Sequence, residues 1–391
     1  MAKSPSTVSS SAQAGDAAQG SWEIDDATGT QWAETPSGRD RQRGTHRADR
    51  DWGSQGCRAG ETGQARKRAG RSEGSNGRNH SRGTQRDSTS CGGEALEAIN
   101  VDQLSHGILE SLNGQVADTM QGDCVFINCS MHPPLDDEFR VVIEHIKRDD
   151  GSKHLIVILE TNGGFMETVE RLVAVMRMHY EKVSFVIPNY AYSAGTVLAL
   201  SGDSIFMDYY SVLGPIDPQY NSDGQFLPGH GYLAKFNEML AVINSSASPD
   251  ECRAEIAYLV RKSDPALPFH IGQGVDHGIS PISEWLPEFK FKDWKKTATE
   301  GKPVTAAMRK RRAKAIAKTL GDAEKWHSHG RGISMKTLSG TDIKLLIDDF
   351  GADPALGEKI RNCHGLAVDY FSRKQRMGGY IHSRSGVRRV L

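Results

Sequence analysis

Between Asp123 and Met207 the apolar positions alternate between two periods. Cys124 to Cys129 (CVFINC) is an apolar run of strand length, and Asp136 to Lys147 (DDEFRVVIEHIK) then sets Phe139, Val142, Ile143 and Ile146 on one helical face. The Asp pair at its start suits a helix N-terminus. His154 to Glu160 (HLIVILE) is almost continuously apolar, as expected of a strand covered on both sides. It ends in Thr161-Asn162-Gly163-Gly164, after which Glu167 to Tyr180 reads as a helix with Val169, Leu172, Val173, Val175 and Met176 inward. Lys182 to Ile187 predicts a third strand, Pro188 to Tyr192 a turn, Ser193 to Leu200 an apolar helix, and Ser204 to Met207 a fourth strand. Val212 to Ile216 turns after it. Strands alternating with helices in this way predict βαβ units and a mainly parallel sheet.

Beyond Gly231 the texture becomes helical, with helices expected near Tyr232 to Ile243, Pro249 to Lys262 and Val304 to Leu320. Pro268, Gly272, Gly274, Gly278 and Pro281 interrupt Leu267 to Phe289, which therefore reads as irregular. Trp326 to Arg373 reads as a small appended unit with a final helix from Leu356 to Phe371. The N-terminal stretch up to about Gly93 holds Ser, Gly, Gln, Arg, Asp and Thr, with too few apolar residues to repay the entropy of folding. The expected organisation is a disordered polar and basic arm at 1–93, a catalytic domain at 94–265 and a helical C-terminal extension at 266–391.

Composition narrows the picture at a few points. The 391 residues carry a formal net charge of −1, yet Arg41, Arg43, Arg47, Arg66, Lys67, Arg68 and Arg71 cluster in the N-terminal stretch. Such a run could serve as a nucleic-acid arm, but a solvated tail is the commoner outcome, and nucleic acid is not the expected partner. The six cysteines form no CxxC pair and no disulfide-like spacing, and no apolar segment follows a basic start, so a reducing cytoplasm is expected. No run reaches the roughly 18 uninterrupted apolar residues of a membrane span; Val183 to Met207 is broken by Pro188, Asn189 and Asp203.

The candidate chemistry lies in Ala191-Tyr192-Ser193-Ala194-Gly195-Thr196. A neutral hydroxyl is a poor nucleophile, so a serine hydrolase needs it at a tight turn, beside a base and facing backbone N–H groups that receive the developing oxyanion. Ser193 would open a helix whose first amides are free, and Ala194 and Gly195 leave room for a substrate backbone. Gly163-Gly164 offers a second amide edge after another strand. Each piece alone is weak, since serine commonly caps helices and Gly-Gly commonly only turns. Two consecutive strand–turn–helix units would nevertheless bring both to the carboxyl edge of one sheet, where ligands bind in α/β folds.

ILETNGGFMETVERL and VIPNYAYSAGTVLALSGDSIFMDYYSVLGPIDPQ resemble the Clp-class serine peptidases, and most closely the serine dehydrogenase proteinase family, relatives of signal peptide peptidase A. WHSHGRGISM is similar to that family's C-terminal part. The resemblance implies an α/β fold of the ClpP/crotonase type, with a mainly parallel sheet, flanking helices and a helical C-terminal extension. It implies Ser193 as nucleophile, an oxyanion hole from Gly163, Gly164 and the Ala194 amide, and a following glycine turn at Gly214. A peptide or protein substrate, a homo-oligomer and no cofactor follow from the same resemblance. The base is open. Clp subunits place a histidine within the segment that here reads YYSVLGPIDPQYN, which has none. The signal-peptide-peptidase relatives use a downstream lysine, which falls on Lys235; its neighbours Leu233, Phe236 and Leu240 would have to bury it to make it a base. Lys262 and His230 are the other candidates.

His327, His329 and His364 lack the carboxylates or cysteines of a metal set, and His327 and His329 share a face only on a strand, so no metal is expected. Asp217, between Ile216 and Pro218, could orient a base but reads first as a turn residue. Trp285, Trp294 and Trp326 read as packing residues. Two rival functions remain: an α/β-hydrolase esterase, because AYSAG approximates G-x-S-x-G without its first glycine, and an inactive scaffold in which Ser193 only caps its helix.

Overall fold

A computed structural model describes residues 100–147, 152–222, 225–262, 264, 266–297, 300–374, 379–384 and 386–390. The arm expected at 1–93 lies outside the described residues.

The strands are β1 (Asp123–Asn128), β2 (His154–Glu160), β3 (Lys182–Val186), β4 (Tyr190–Ala191), β5 (Ser204–Met207), β6 (Val212–Leu213), β7 (Gln219–Ser222), β8 (Gln225–Pro228), β9 (Ile333–Ser334), β10 (Asp348–Asp349), β11 (Gly379–Ser383) and β12 (Gly386–Val390). The helices are α1 (Val101–Met120), α2 (Leu135–Lys147), α3 (Met166–His179), α4 (Ala194–Leu200), α5 (Gly229–Ser245), α6 (Arg253–Lys262), α7 (Ala266–Trp285), α8 (Ala306–Leu320), α9 (Ala323–Trp326), α10 (Met335–Ser339) and α11 (Pro354–Lys374).

A seven-stranded sheet runs in the order β10-β5-β3-β2-β1-β11-β12. Its first five strands are parallel, with Val125 opposite Val157 and Val157 opposite Phe185, while β11 and β12 close one edge antiparallel. Strand side chains alternate between the two faces. Val125, Ile127, Leu155, Val157 and Leu159 enter one core with α2, α3 and α4; Phe126, Ile156 and Ile158 enter the other with α1 and α11. Burial on both faces is what the unbroken run HLIVILE required.

The C-terminal segment is more tightly woven in than its helical texture suggested. It supplies α8 to the first core and α11 to the second, and it adds β10, β11 and β12 to the large sheet. It also adds β9 to a three-stranded sheet ordered β4-β6-β9. Leu267 to Phe289, expected to be irregular, is mostly α7, with Pro281 inside it and a π turn at Leu286–Lys290 after it. Two of its glycines serve close approach: a Cβ on Gly274 would stand 3.2 Å from Pro218 Cβ, and one on Gly278 would stand 3.5 Å from the Ile216 carbonyl. No helix among the described residues is long and apolar enough to cross a membrane.

Candidate active site

Ser193 sits at the bend between β4 and α4 with φ 51° and ψ −119°, a backbone conformation that L residues rarely adopt. Its hydroxyl does not cap α4. The helix-cap explanation for this serine therefore lacks its hydrogen bond, and the strain is of the kind held at strand-to-helix nucleophile bends. The bend is fixed from both sides. Tyr192 N–H donates to the Thr161 carbonyl at 3.0 Å, Thr161 N–H donates to the Tyr190 carbonyl at 3.2 Å, and Gly195 N–H donates back to the Tyr192 carbonyl at 2.8 Å.

The glycine turn after β2 packs directly on this bend. Gly163 has φ +94°, and a Cβ there would fall 2.8 Å from Ser193 Cβ and 2.7 Å from the Tyr192 carbonyl oxygen. Gly164, at φ +148°, approaches the Met131 carbonyl as closely. Both positions require glycine for conformation and for space. The Gly163 N–H is already used, donating to Thr161 Oγ1 at 3.0 Å. Of the three amides expected to form an oxyanion hole, Gly163 is thus a packing element. The N–H groups of Gly164 and Ala194 have no acceptor among the described residues.

Ser193, Ala194, Gly163 and Gly164 line one cavity of about 550 Å³. Phe165, Met166, Val197, Ile216 and Phe226 give it apolar walls. Asp217 and His329 line the same cavity, and His329 Nδ1 lies 2.9 Å from Asp217 Oδ1. The Asp217 carboxylate is 2% exposed and the His329 side chain 18%. His132, its ring tilted against Phe165 with centroids 4.7 Å apart, and His277, held by Glu170 at 3.0 Å, stand elsewhere on the lining.

Lys235 is not brought to this cavity. Its side chain on α5 is 77% exposed and pairs with Glu238 at 2.6 Å, a hydrogen bond that raises its pKa above the ordinary lysine value. Burial cannot tune it as a base would need. His230 lines a neighbouring cavity of about 320 Å³, which shares Ile216 and Pro218 with the first. Lys262 ends α6. Gly214 packs on the residue before Ser193: a Cβ on it would stand 3.0 Å from Tyr192 Cα. Among the described residues no cluster of three or more His, Cys, Asp or Glu side chains could hold a metal ion.

Residues 133–225, which contain both glycine turns and Ser193, match the sequence model of the ClpP-like SDH-type serine proteinases. That segment, under a quarter of the chain, is similar to that family. The matched segment ends before His329. Among curated proteins, uncharacterized protein MJ0137 of Methanocaldococcus jannaschii is 33% identical over 78 residues, which are 20% of this chain and 27% of that protein. Uncharacterized protein MJ1495 of the same organism is 40% identical over 63 residues, 16% of this chain and 22% of that protein. The chain thus spans about a quarter of the length of these relatives. Solved structures that resemble this chain include a mutant of the 1510-N membrane-bound stomatin-specific protease, at 20% identity and TM-score 0.24 over 32% of this chain and 65% of that one. A ClpP1 mutant from Listeria monocytogenes follows at 14% identity and TM-score 0.22, over 25% and 58% of the two chains.

Proposed function

We propose that the chain is a serine peptidase that hydrolyses peptide bonds with Ser193 as nucleophile. The observation that carries this reading is the Ser193 bend: a strained, uncapped serine pressed against Gly163, in a cavity also lined by Gly164 and Ala194, whose amides have no acceptor among the described residues. Backbone strain of this kind costs of order 1–3 kcal/mol and persists where surrounding structure enforces it, which singles out a side chain held for use. The carbonyl oxygen of a bound peptide takes the two amides as donors while Ser193 Oγ faces its carbon. The apolar walls of Phe165, Val197, Ile216 and Phe226 suit a substrate with an apolar side chain beside the scissile bond. His329, its Nδ1 donating to the buried Asp217, serves as the base, with the Nε2 lone pair left to take the Ser193 proton. The similarity of residues 133–225 to the ClpP-like serine proteinases supports a peptide substrate over a simple ester. A homo-oligomer and a cytoplasmic setting belong to the same proposal.

Incubation of the full chain with a mixed fluorogenic peptide library tests it. Native protein is expected to cleave at least one apolar-containing peptide, and Ser193→Ala to abolish that cleavage with an unchanged circular dichroism spectrum. A Ser193→Ala protein that cleaves at the native rate would remove the proposal.

A further inference from the structure

The stretch 290–344 holds fifteen Lys or Arg and five Asp or Glu, in a chain whose net charge is −1. At its centre lies α8, which carries six basic residues, no acidic one and no aromatic one. Two of the six brace the fold: Arg309 donates to the Trp294 carbonyl at 2.8 Å, and Arg312 donates to the Ile343 carbonyl. Lys310, Lys314 and Lys318 do no such work. All three are exposed, and their ammonium groups have no hydrogen bond or ion pair among the described residues. A spacing of four sets them in one row beside the buried stripe of Ala313, Ile316, Ala317 and Leu320, with about 6 Å of rise between neighbours.

Both ends of the row continue into something. Lys295 and Lys296 are exposed where Val304 N–H donates to the Lys295 carbonyl at 2.9 Å, so they extend the positive field past the start of α8. At the other end Lys318 lines the cavity of about 320 Å³, whose walls Ile216 and Pro218 also line the Ser193 cavity. Asp322, the acidic member of the smaller lining, is engaged as the cap of α9, its Oδ1 accepting from Lys325 N–H at 3.0 Å.

We infer that the row Lys310, Lys314 and Lys318 is an exosite that holds an acidic segment of the polypeptide substrate in extended form, leading to the Ser193 cavity. This names a substrate class and rests on the peptidase reading above. Side chains on one face of an extended peptide recur every second residue, about 6.6 Å apart, so carboxylates at alternate positions match lysines that rise by about 6 Å. The three ammonium groups pair with substrate without breaking an ion pair inside the chain. A basic surface also steers an acidic segment towards the site before contact. Single-stranded nucleic acid calls for aromatic platforms as well as charge, and α8 has none; a row that ends in a wall of the catalytic cavity suits a polypeptide.

The test measures fluorescence anisotropy of labelled peptides on the full chain carrying Ser193→Ala, so that binding is read without cleavage. The peptides place Glu-Ala-Glu-Ala-Glu or Gln-Ala-Gln-Ala-Gln on either side of an apolar residue. The Glu peptide is expected to bind about tenfold more tightly than the Gln peptide, and to lose that advantage at about 0.5 M salt. Lys310→Gln, Lys314→Gln and Lys318→Gln combined should abolish the advantage. On the Ser193 background the same three changes should raise KM for the Glu peptide about tenfold relative to the Gln peptide. Equal binding of the two peptides, or a Glu advantage that survives loss of the three lysines, would overturn the inference. Tighter binding of a single-stranded DNA oligonucleotide or of phosphatidylserine vesicles through the same lysines would overturn it too. Labelling of Ser193 in the native chain by a biotinylated fluorophosphonate, located by peptide mass spectrometry, judges the peptidase reading separately: a native chain that does not label counts against that reading, while the anisotropy still decides whether the lysine row binds an acidic chain.

Discussion

The two main sheets of this protein differ in how they are made and in what they do. The seven-stranded sheet is built on long apolar runs such as β2, whose residues from Leu155 to Leu159 are all fully buried. It holds the fold. The three-stranded sheet consists of strands two residues long and owes its position to neighbours. It carries the proposed chemistry. Hydrophobic burial, which scales with area, suits the first task. Placing three polar side chains at one point calls instead for short pairings between distant segments, braced by backbone hydrogen bonds and by tight glycine contacts at Gly163 and Gly214.

Substitutions should separate the two sheets. The largest effect on stability is expected at Phe126 of β1, which is fully buried and lies 5.8 Å from Phe371 of α11 between ring centroids. Phe126→Ala should cost about 3–5 kcal/mol in urea unfolding, while the folded fraction still labels at Ser193. Loss of labelling from well-folded Phe126→Ala protein would break the division.

His382 of β11 offers a second probe of the large sheet. It is 1% exposed, and its Nε2 has no partner among the described residues. Burial first, and His106 second, push its pKa down from 6.5 to about 4. The unfolded chain therefore binds a proton between those values that the folded chain refuses, so stability is full above about pH 6.5 and falls as pH drops towards 4. The loss amounts to at most about 3 kcal/mol. His382→Leu should flatten the change in urea midpoint between pH 7 and pH 4.5; an equally steep change in the variant would refute the attribution.

The smallest stability effect is expected in the short sheet. Thr196→Val keeps the shape but leaves the Gly214 N–H without its acceptor, at about 1–3 kcal/mol. Its signature should lie in the rate, with Ser193 labelled about tenfold or more slowly because the Asp217 segment is no longer tied to the nucleophile bend. A rate unchanged at that cost in stability would make Thr196 a core residue only.

The same contrast explains what could be read from the chain alone. HLIVILE, the helix after Gly164, and the order strand, Gly-Gly, strand, serine are local patterns, and their elements lie within about a residue of expectation. The short sheet leaves no such trace. A two-residue strand has no period to detect, and the Asp217–His329 pair spans 112 residues of sequence. Asp217 reads as a turn residue because Pro218 follows it, and the two-residue spacing of His327 and His329 speaks only against a metal set, not against a carboxylate partner. Gly272, Gly274 and Gly278 resembled breakers, whereas Gly274 and Gly278 let α7 lie against Ile216 and Pro218. The one signal that pointed towards His329 was the similarity of WHSHGRGISM to the family's C-terminal part. Lys235 was favoured by distance in sequence from Ser193, which carries no information about the face of α5 it occupies.

The most direct test of the claim that the short sheet assembles one catalytic unit is a double-variant cycle on the rate of Ser193 labelling. Groups that act together lose their effects together. If His329 and Asp217 act through one proton path, the chain carrying both His329→Gln and Asp217→Asn labels as slowly as His329→Gln alone. Losses that multiply in the double variant would mean that the two residues work independently, and would contradict the account.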